Sequence, residues 1–274
     1  MNKHTLLKYI ILGAIAAAVA TFLMPKSHPE TSVGTPRDYS EIKQEGVLRA
    51  ATEYNTIGFH VHEDSVSGFH YELLQAFAHD QGLKLEVVPM MSFEKQLQGL
   101  ENGSYDLLAS SILYTSELKD TLLLTHPILL NKEVLVQRKP LTAEDSTRYI
   151  SNQLELAGKT LHVVKGSPAK LRIRNLATEI ADTIYIKEVE KYGPEQLAAM
   201  VAHGDIDYAV CDEMTAKATL DSMPQLDIHT AISFKQFYAW AVNPHAPVLL
   251  DSLNTWLDTY LKSKKYRLLY KRYF

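Results

Sequence analysis

Apolar positions along the chain change period several times, and the changes mark its elements. Residues 47–52 are a short apolar run, as in a buried strand. Over residues 71–79, Leu73, Leu74, Phe77 and Ala78 share one side at helical spacing, with Gly82 just beyond the end. Residues 83–88 alternate Leu83, Leu85 and Val87 with Lys84 and Glu86, which is strand periodicity. Phe93, Leu97 and Leu100 return to helical spacing, and residues 106–109 read as a strand. The pattern repeats after residue 155. Residues 160–164 predict a strand, and Ser167-Pro168 a helix start with Ser as cap and Pro at the first helical position. A helix over 171–180, a strand over 183–187, a helix over 194–202 and a strand over 206–211 follow. Strands alternating with helices predict α/β architecture, with mainly parallel sheets flanked by helices.

An echo links the two halves. Gly103-Ser104-Tyr105-Asp106 precedes Leu107-Leu108-Ala109, and Gly204-Asp205-Ile206-Asp207 precedes Tyr208-Ala209-Val210. Helix–strand turns in general favour Gly and Asp, so the echo is equally a turn preference and a sign of two similar lobes. Residues 133–137 and 233–242 read as extended crossings between the lobes. This predicts lobe 1 from residues 41–135 plus 238–274, lobe 2 from 136–237, and a two-strand hinge. The end of the chain reads as helix. Leu249, Leu253, Trp256, Leu257 and Tyr260 share a face, continued by Tyr266, Leu269, Tyr270 and Tyr273. Its basic opposite face, with Lys262, Lys264, Lys265, Arg267, Lys271 and Arg272, fits a solvated surface that complements the helix C-terminus, with contact to anionic membrane or glycan as the alternative.

Charge and composition narrow the function. In 274 residues, 28 basic and 32 acidic side chains give −4, so bulk charge predicts no nucleic-acid partner. Residues 9–24 carry no charge and follow Lys3 and Lys8, which predicts export through a signal peptide or N-terminal membrane anchor over 1–24. Pro25, Pro29 and Pro36 mark a linker over 25–40. No Cys follows the apolar run, so lipoprotein attachment is not expected. The single Cys211 cannot form an internal disulfide, and its apolar neighbours predict a small buried hydrophobe rather than a nucleophile. His60, His62, His70 and His79 fall within 20 residues. Without a Cys or HExxH pattern beside them, solvated loop histidines are expected and no metal site or cofactor. No GxSxG is present, which removes α/β-hydrolase chemistry.

Gly46-Val47-Leu48-Arg49-Ala50, Gly68-Phe69-His70-Tyr71-Glu72-Leu73-Leu74 and Asp106-Leu107-Leu108-Ala109-Ser110-Ser111 together resemble the type 2 periplasmic solute-binding proteins of the amino-acid family (family 3). The segment from Lys264 to Phe274 is similar to their last helix. Ile112-Leu113-Tyr114-Thr115-Ser116-Glu117 further resembles the ligand-side loop of the regulatory domain of membrane-bound lytic murein transglycosylase F. That family joins such a domain to a lysozyme-like catalytic one. The sequence ends at Phe274, where that domain would begin, so the resemblance implies binding without glycan cleavage.

The resemblance implies a two-lobed fold closing on a ligand at the strand C-termini, here residues 52–54, 110–115, 165–167 and 211–213. In the amino-acid binders an Arg grips the ligand carboxylate; the matching position is Leu118, which has no donor, and Lys119 beside it is not an equivalent clamp. Asp212 matches the acidic residue that receives a ligand ammonium, and it also fits a helix cap. Ser167 matches the hydroxyl residue at the lobe 2 helix start, where it would serve as cap or anion contact. Ser110, Ser111 and Thr115 are candidate hydrogen-bond donors. Tyr54, Phe59, Phe69 and Tyr114 are candidate walls, with core packing the competing role for the two Phe. The expectation is a monomeric, non-catalytic solute binder for a small polar ligand: amino-acid-like, peptide or muropeptide. It would serve uptake with an ABC permease, or sensing. A cell-wall regulatory protein of the transglycosylase F type, in contact with glycan, is the alternative. A dehydratase-like enzyme using Glu53, Glu72 and Asp212 is a minor one.

Overall fold

Two sheets carry the chain, and each repeats the strand order of the other. The computed structural model describes residues 34–63, 65–114 and 116–274. The expected export segment and the first part of the linker lie outside the described residues. No helix among those described is long and apolar enough to cross a membrane.

The first lobe begins with a helix over Tyr39–Glu45, closed at one end by an Asp38–Glu41 capping box and at the other by Gly46 at φ 71°. Next come β1 (Val47–Glu53), a small hairpin of β2 (His60–His62) and β3 (Ser65–Ser67), and a helix over Phe69–Asp80. β4 (Lys84–Met90), a helix over Phe93–Glu101 and β5 (Leu107–Leu113) follow, then β6 (Leu123–Leu124) and β7 (Leu129–Asn131). The second lobe holds β8 (Glu133–Arg138), β9 (Thr160–Val164), a helix over Ala169–Glu179 and β10 (Tyr185–Val189). After these come a helix over Pro194–His203, β11 (Ala209–Asp212), a helix over Glu213–Leu220 and β12 (Leu226–Asp227). β13 (Gln236–Val242) returns to the first sheet, before helices over Pro247–Tyr260 and Lys264–Tyr273.

The sheet orders are β4-β1-β5-β13-β6, with β7 also on β13, and β10-β9-β11-β8-β12. In each, three parallel strands meet one antiparallel crossing strand, β13 or β8. The two-lobed α/β fold with two hinge strands is therefore present, and the Gly–Asp echo occupies equivalent turns. Gly103 and Gly204 lie at φ 73° and 86°, where a side chain would be strained. Asp106 and Asp207 each hold an arginine, Arg37 and Arg138.

Both faces of the sheets are covered, which explains the apolar runs. Leu48 and Ala50 of β1 pack with Leu73, Phe77 and Trp240, whereas Ala51 packs on the other face with Leu100 and Leu108. In the second lobe Leu135 and Val210 face one cluster, and Val134, Val136 and Cys211 the other. The chain crosses between Asn131 and Glu133 and returns between Asp227 and Gln236, so residues 135 and 238 lie inside the crossing strands.

Three expectations need correction. The final helix is two helices, because Ser263 caps the second by accepting from the Tyr266 amide at 3.1 Å. β10 starts at Tyr185 rather than 183. β11 starts at Ala209 rather than 206, since the Asp205 and Ile206 amides fold back onto the Met200 carbonyl and Arg138 holds the Ile206 carbonyl.

Candidate functional site

Strand ends and helix starts from both lobes converge on one cleft. It holds about 840 Å³ of empty space, including its open mouth. The first lobe contributes Glu53, Tyr54 and Asn55 after β1, Met91 and Phe93 after β4, and Ser111 to Leu113 at the end of β5. The second contributes Val164, Ser167 and Pro168 after β9, Gly193 and Pro194 before a helix, and Val210 to Asp212 on β11. Glu133 and Tyr238, one from each crossing strand, also line it. A direct bond spans the lobes: the Thr56 amide donates to Glu195 Oε1 at 2.8 Å. Lys165 Nζ also approaches Glu94 Oε2 across the gap, at 3.9 Å.

The end of β1 is held by a tight loop. Asn55 Oδ1 accepts from the Ile57 and Gly58 amides at 3.1 and 2.6 Å, while its Nδ2 donates to Glu53 Oε2 at 2.9 Å. Gly68, at φ 142°, lies so close to this loop that a Cβ would come 2.3 Å from the Gly58 carbonyl. Only glycine fits there. The loop thus fixes where the Glu53 carboxyl points.

Carboxyl groups dominate the cleft's polar chemistry. Glu133 is 4% exposed, and the Tyr238 hydroxyl donates to its Oε1 at 3.1 Å. Burial, and then the Asp212 charge, push its pKa up to about 8. Glu53 is raised to about 7 by burial first, then by Asp212, while the Asn55 contact lowers it. Asp212 Oδ1 accepts from Asn131 Nδ2 at 2.7 Å and from the Thr215 amide at 3.0 Å, so it caps its helix while lining the cleft. Burial keeps the Cys211 thiol protonated, its pKa far above the ordinary value, and Cys211 packs with Val136 and Ala209.

Ser111 is set by a buried relay. Trp240 Nε1, which can only donate, gives its hydrogen to His70 Nδ1 at 3.0 Å. His70 Nε2 therefore carries the ring proton and donates it to Ser111 Oγ at 3.1 Å. Burial lowers the His70 pKa to about 3, so the ring stays neutral. An imidazole in this tautomer cannot take a proton from Ser111, so the pair is not a nucleophile and its base. It leaves the Ser111 hydroxyl proton without an acceptor among the described residues.

Of the residues expected at the site, Tyr54, Ser111, Ser167 and Asp212 line the cleft. Ser167 Oγ accepts from the Ala169 amide at 3.2 Å, the contact a serine cap makes to the second helical residue when helical Pro168 is the first. Ser110 is fully buried and donates to Gln96 Oε1 at 2.8 Å, so it orients a cleft residue instead of reaching the cleft. Phe69 is fully buried in an aromatic group with Tyr266, Tyr270, Tyr273 and Phe274, and core packing accounts for it. Phe59 packs edge-on against Tyr71 at 5.2 Å. Lys119 Nζ stands 4.1 Å from the Tyr114 ring centre, and neither lines the cleft. Leu118 does line it, and Thr115 lies outside the described residues. Glu72, a candidate acid, binds the Tyr273 hydroxyl and Arg272 away from the cleft. The histidines do not gather: His60 and His62 share the hairpin, His70 is buried and His79 is exposed.

Sequence reasoning missed Glu133, Tyr238 and Gln96. The first two sit on the crossing strands, a position that periodicity does not flag as cleft-facing.

Comparison with known proteins agrees with this architecture. Residues 48–274 match the family model of bacterial extracellular solute-binding proteins, family 3. Membrane-bound lytic murein transglycosylase F of Photobacterium profundum is 26% identical over 75% of this chain and 39% of its own length. The protein of the same name from Desulfosudis oleivorans is 26% identical over 85% of this chain and 50% of its own. The chain thus spans half or less of these relatives. A crystal structure of a mutant of ArgBP from T. maritima superposes with a TM-score of 0.74 at 25% identity, covering 85% of this chain and 97% of the other. With the family model matching most of its length, the chain belongs to the bacterial extracellular solute-binding proteins, family 3.

Proposed function

We infer that this protein captures a small polar ligand outside the cytoplasm by closing its two lobes around it. The observation that carries this is the cleft itself: both lobes line it at their strand C-termini, and the Thr56–Glu195 bond bridges it. Closure is a population shift about the β8 and β13 crossings, driven by a ligand that contacts both lobes. Amino-acid-like compounds, small peptides and muropeptides are the classes to screen, for uptake with an ABC permease or for sensing. The Ser111–His70 tautomer and the protonated Cys211 support binding rather than nucleophilic catalysis. Thermal-shift screening tests the reading. A ligand at about 100 times its Kd stabilises the native state by roughly 2.7 kcal/mol, a shift of several degrees. Screens of all three classes that leave the unfolding midpoint fixed would refute it.

The names of the curated relatives favour a second reading, a cell-wall regulatory role of the transglycosylase F type. Mass spectrometry of the mature N-terminus separates the two: a retained apolar segment supports the anchored regulator, a cleaved one the soluble carrier. Purified protein is expected to release no fragments from peptidoglycan in either case.

A further inference from the structure

We propose that the cleft takes an organic amine bearing no free carboxylate, its ammonium among Glu53, Glu133 and Asp212 and a neutral acceptor at Ser111. The inference rests on the solute-binding reading above and narrows its ligand class.

Charge is the first argument. Three carboxyl groups line the cleft, while no Lys, Arg or His does so among the described residues. The nearby lysines are engaged elsewhere. Lys132 stands 3.7 Å from Glu213, Lys165 pairs with Glu190 at 2.8 Å, and Lys119 lies over Tyr114. A ligand carboxylate would enter this cleft without a counter-charge and face Glu53, Glu133 and Asp212. A cation meets the opposite situation: Glu53 and Glu133, which burial and the Asp212 charge hold protonated well above the usual carboxylate range, can ionise against it.

Unsatisfied hydrogen bonding is the second and independent argument. Glu133 lines the cleft, and its Oε2 has no hydrogen-bond partner among the described residues and opens onto the cleft rather than being sealed in the core. A ligand ammonium can donate to that oxygen as the carboxyl gives up its proton. Ser111 calls for the opposite. The Trp240–His70 relay fills its acceptor side, so it presents a proton to the cleft and requires an acceptor. An ammonium next to an amide carbonyl supplies both groups and adds no negative charge. The remaining wall is apolar, with Met91, Phe93, Ile112, Leu118 and Pro194, and suits an uncharged body.

Isothermal titration of the full chain at pH 7 tests this with matched pairs: L-phenylalaninamide against L-phenylalanine, L-leucinamide against L-leucine, and L-argininamide against L-arginine. N-acetyl-L-phenylalaninamide serves as the control without a cation. At least one amide is expected to bind at least tenfold tighter than its acid, with no binding of the acetylated compound. Glu133→Gln should weaken that amide by tenfold or more, and Ser111→Ala by severalfold. An acid binding as tightly as its amide overturns the proposal, as does silence from all three amides. If the amides are silent while other solutes shift the unfolding midpoint, this inference fails and the solute-binding reading stands. If nothing binds in either screen, both fail.

Discussion

Replacing Glu133 by Gln isolates the cost of holding a carboxyl group at the hinge. Glu133 is 4% exposed, and its pKa rises from 4.5 to about 8, through burial first and then the Asp212 and Glu53 charges. The sign follows from proton counting. Below pH 4.5 both native and unfolded chains carry the proton, and the group contributes no pH dependence. Between 4.5 and 8 the unfolded chain releases it while the native chain retains it, so rising pH favours unfolding by about 1.4 kcal/mol per unit. Above 8 both are ionised and the loss levels off. The full interval gives an upper figure of about 5 kcal/mol, and sharing of the repulsion with Asp212 and Glu53 brings the single-site effect to roughly 2–5 kcal/mol. Gln preserves shape and still accepts from the Tyr238 hydroxyl, but it does not titrate. The stability difference between Glu133→Gln and the parent should therefore open with pH, in favour of the variant, and reach its plateau near pH 8.5. Urea unfolding followed through the fluorescence of Trp240 and Trp256 at pH 5, 6.5 and 8.5 measures it. A difference that stays constant across that range would refute the reasoning.

Further outcomes follow from single contacts. Glu195→Ala removes the acceptor of the Thr56 amide, a bond to a charged group worth about 1.5–3 kcal/mol, so the closed population should fall at least tenfold. Small-angle scattering should then show a larger radius of gyration, and an unchanged profile would contradict the bond's role. Asp106→Ala leaves Arg37 largely buried, with Glu45 as its remaining acid, and should cost about 3–5 kcal/mol by chemical denaturation. A loss below 1 kcal/mol would show that the pair is dispensable. Asp212→Asn keeps an oxygen for the Thr215 amide, so it should weaken ligand binding tenfold or more with little change in Tm. Asp212→Ala should additionally lose about 1 kcal/mol of helix capping. Equal Tm values for the two variants would argue against the cap.

Much of the architecture was legible because each lobe buries both faces of its sheet. That produces the apolar runs of β1, β5 and β9 and the helical faces of Leu73, Leu74 and Phe77. What periodicity could not supply was where regular structure stops. Residues 249–273 keep an apolar stripe throughout, yet the helix breaks at Ser263 because its hydroxyl satisfies the next helix's amide. The start of β11 depends on Arg138, distant in sequence, which holds the Ile206 carbonyl. The site divides in the same way. Tyr54, Ser111, Ser167 and Asp212 sit at strand or helix ends, where the fold type implies ligand contact. Glu133 and Tyr238 reach the cleft only because the chain crosses between sheets there. Ser110 and Ser111 are adjacent and chemically alike, and strand alternation alone directs one to Gln96 and the other to the cleft.

The placement of acids at the crossings bears on how closure depends on ligand. Glu133 begins the outgoing strand, and Tyr238, which holds it, lies on the returning one. Any rotation of the lobes about these strands changes how much water reaches the carboxyl. In this structure burial and the Asp212 charge raise the pKa values of both Glu53 and Glu133, and closing an unfilled cleft would strip further water from them. Closing the cleft on a cation turns the same repulsion into attraction. The difference between these two closures is the differential affinity that a ligand needs in order to shift a population. Moving an equilibrium from 1:99 to 99:1 takes about 5.5 kcal/mol of such differential affinity. On this reading the carboxyl cluster both selects the ligand and makes closure conditional on it. The Glu133→Gln variant should then close more readily without ligand and gain less closure from it, a pair of effects that a purely structural glutamate would not produce.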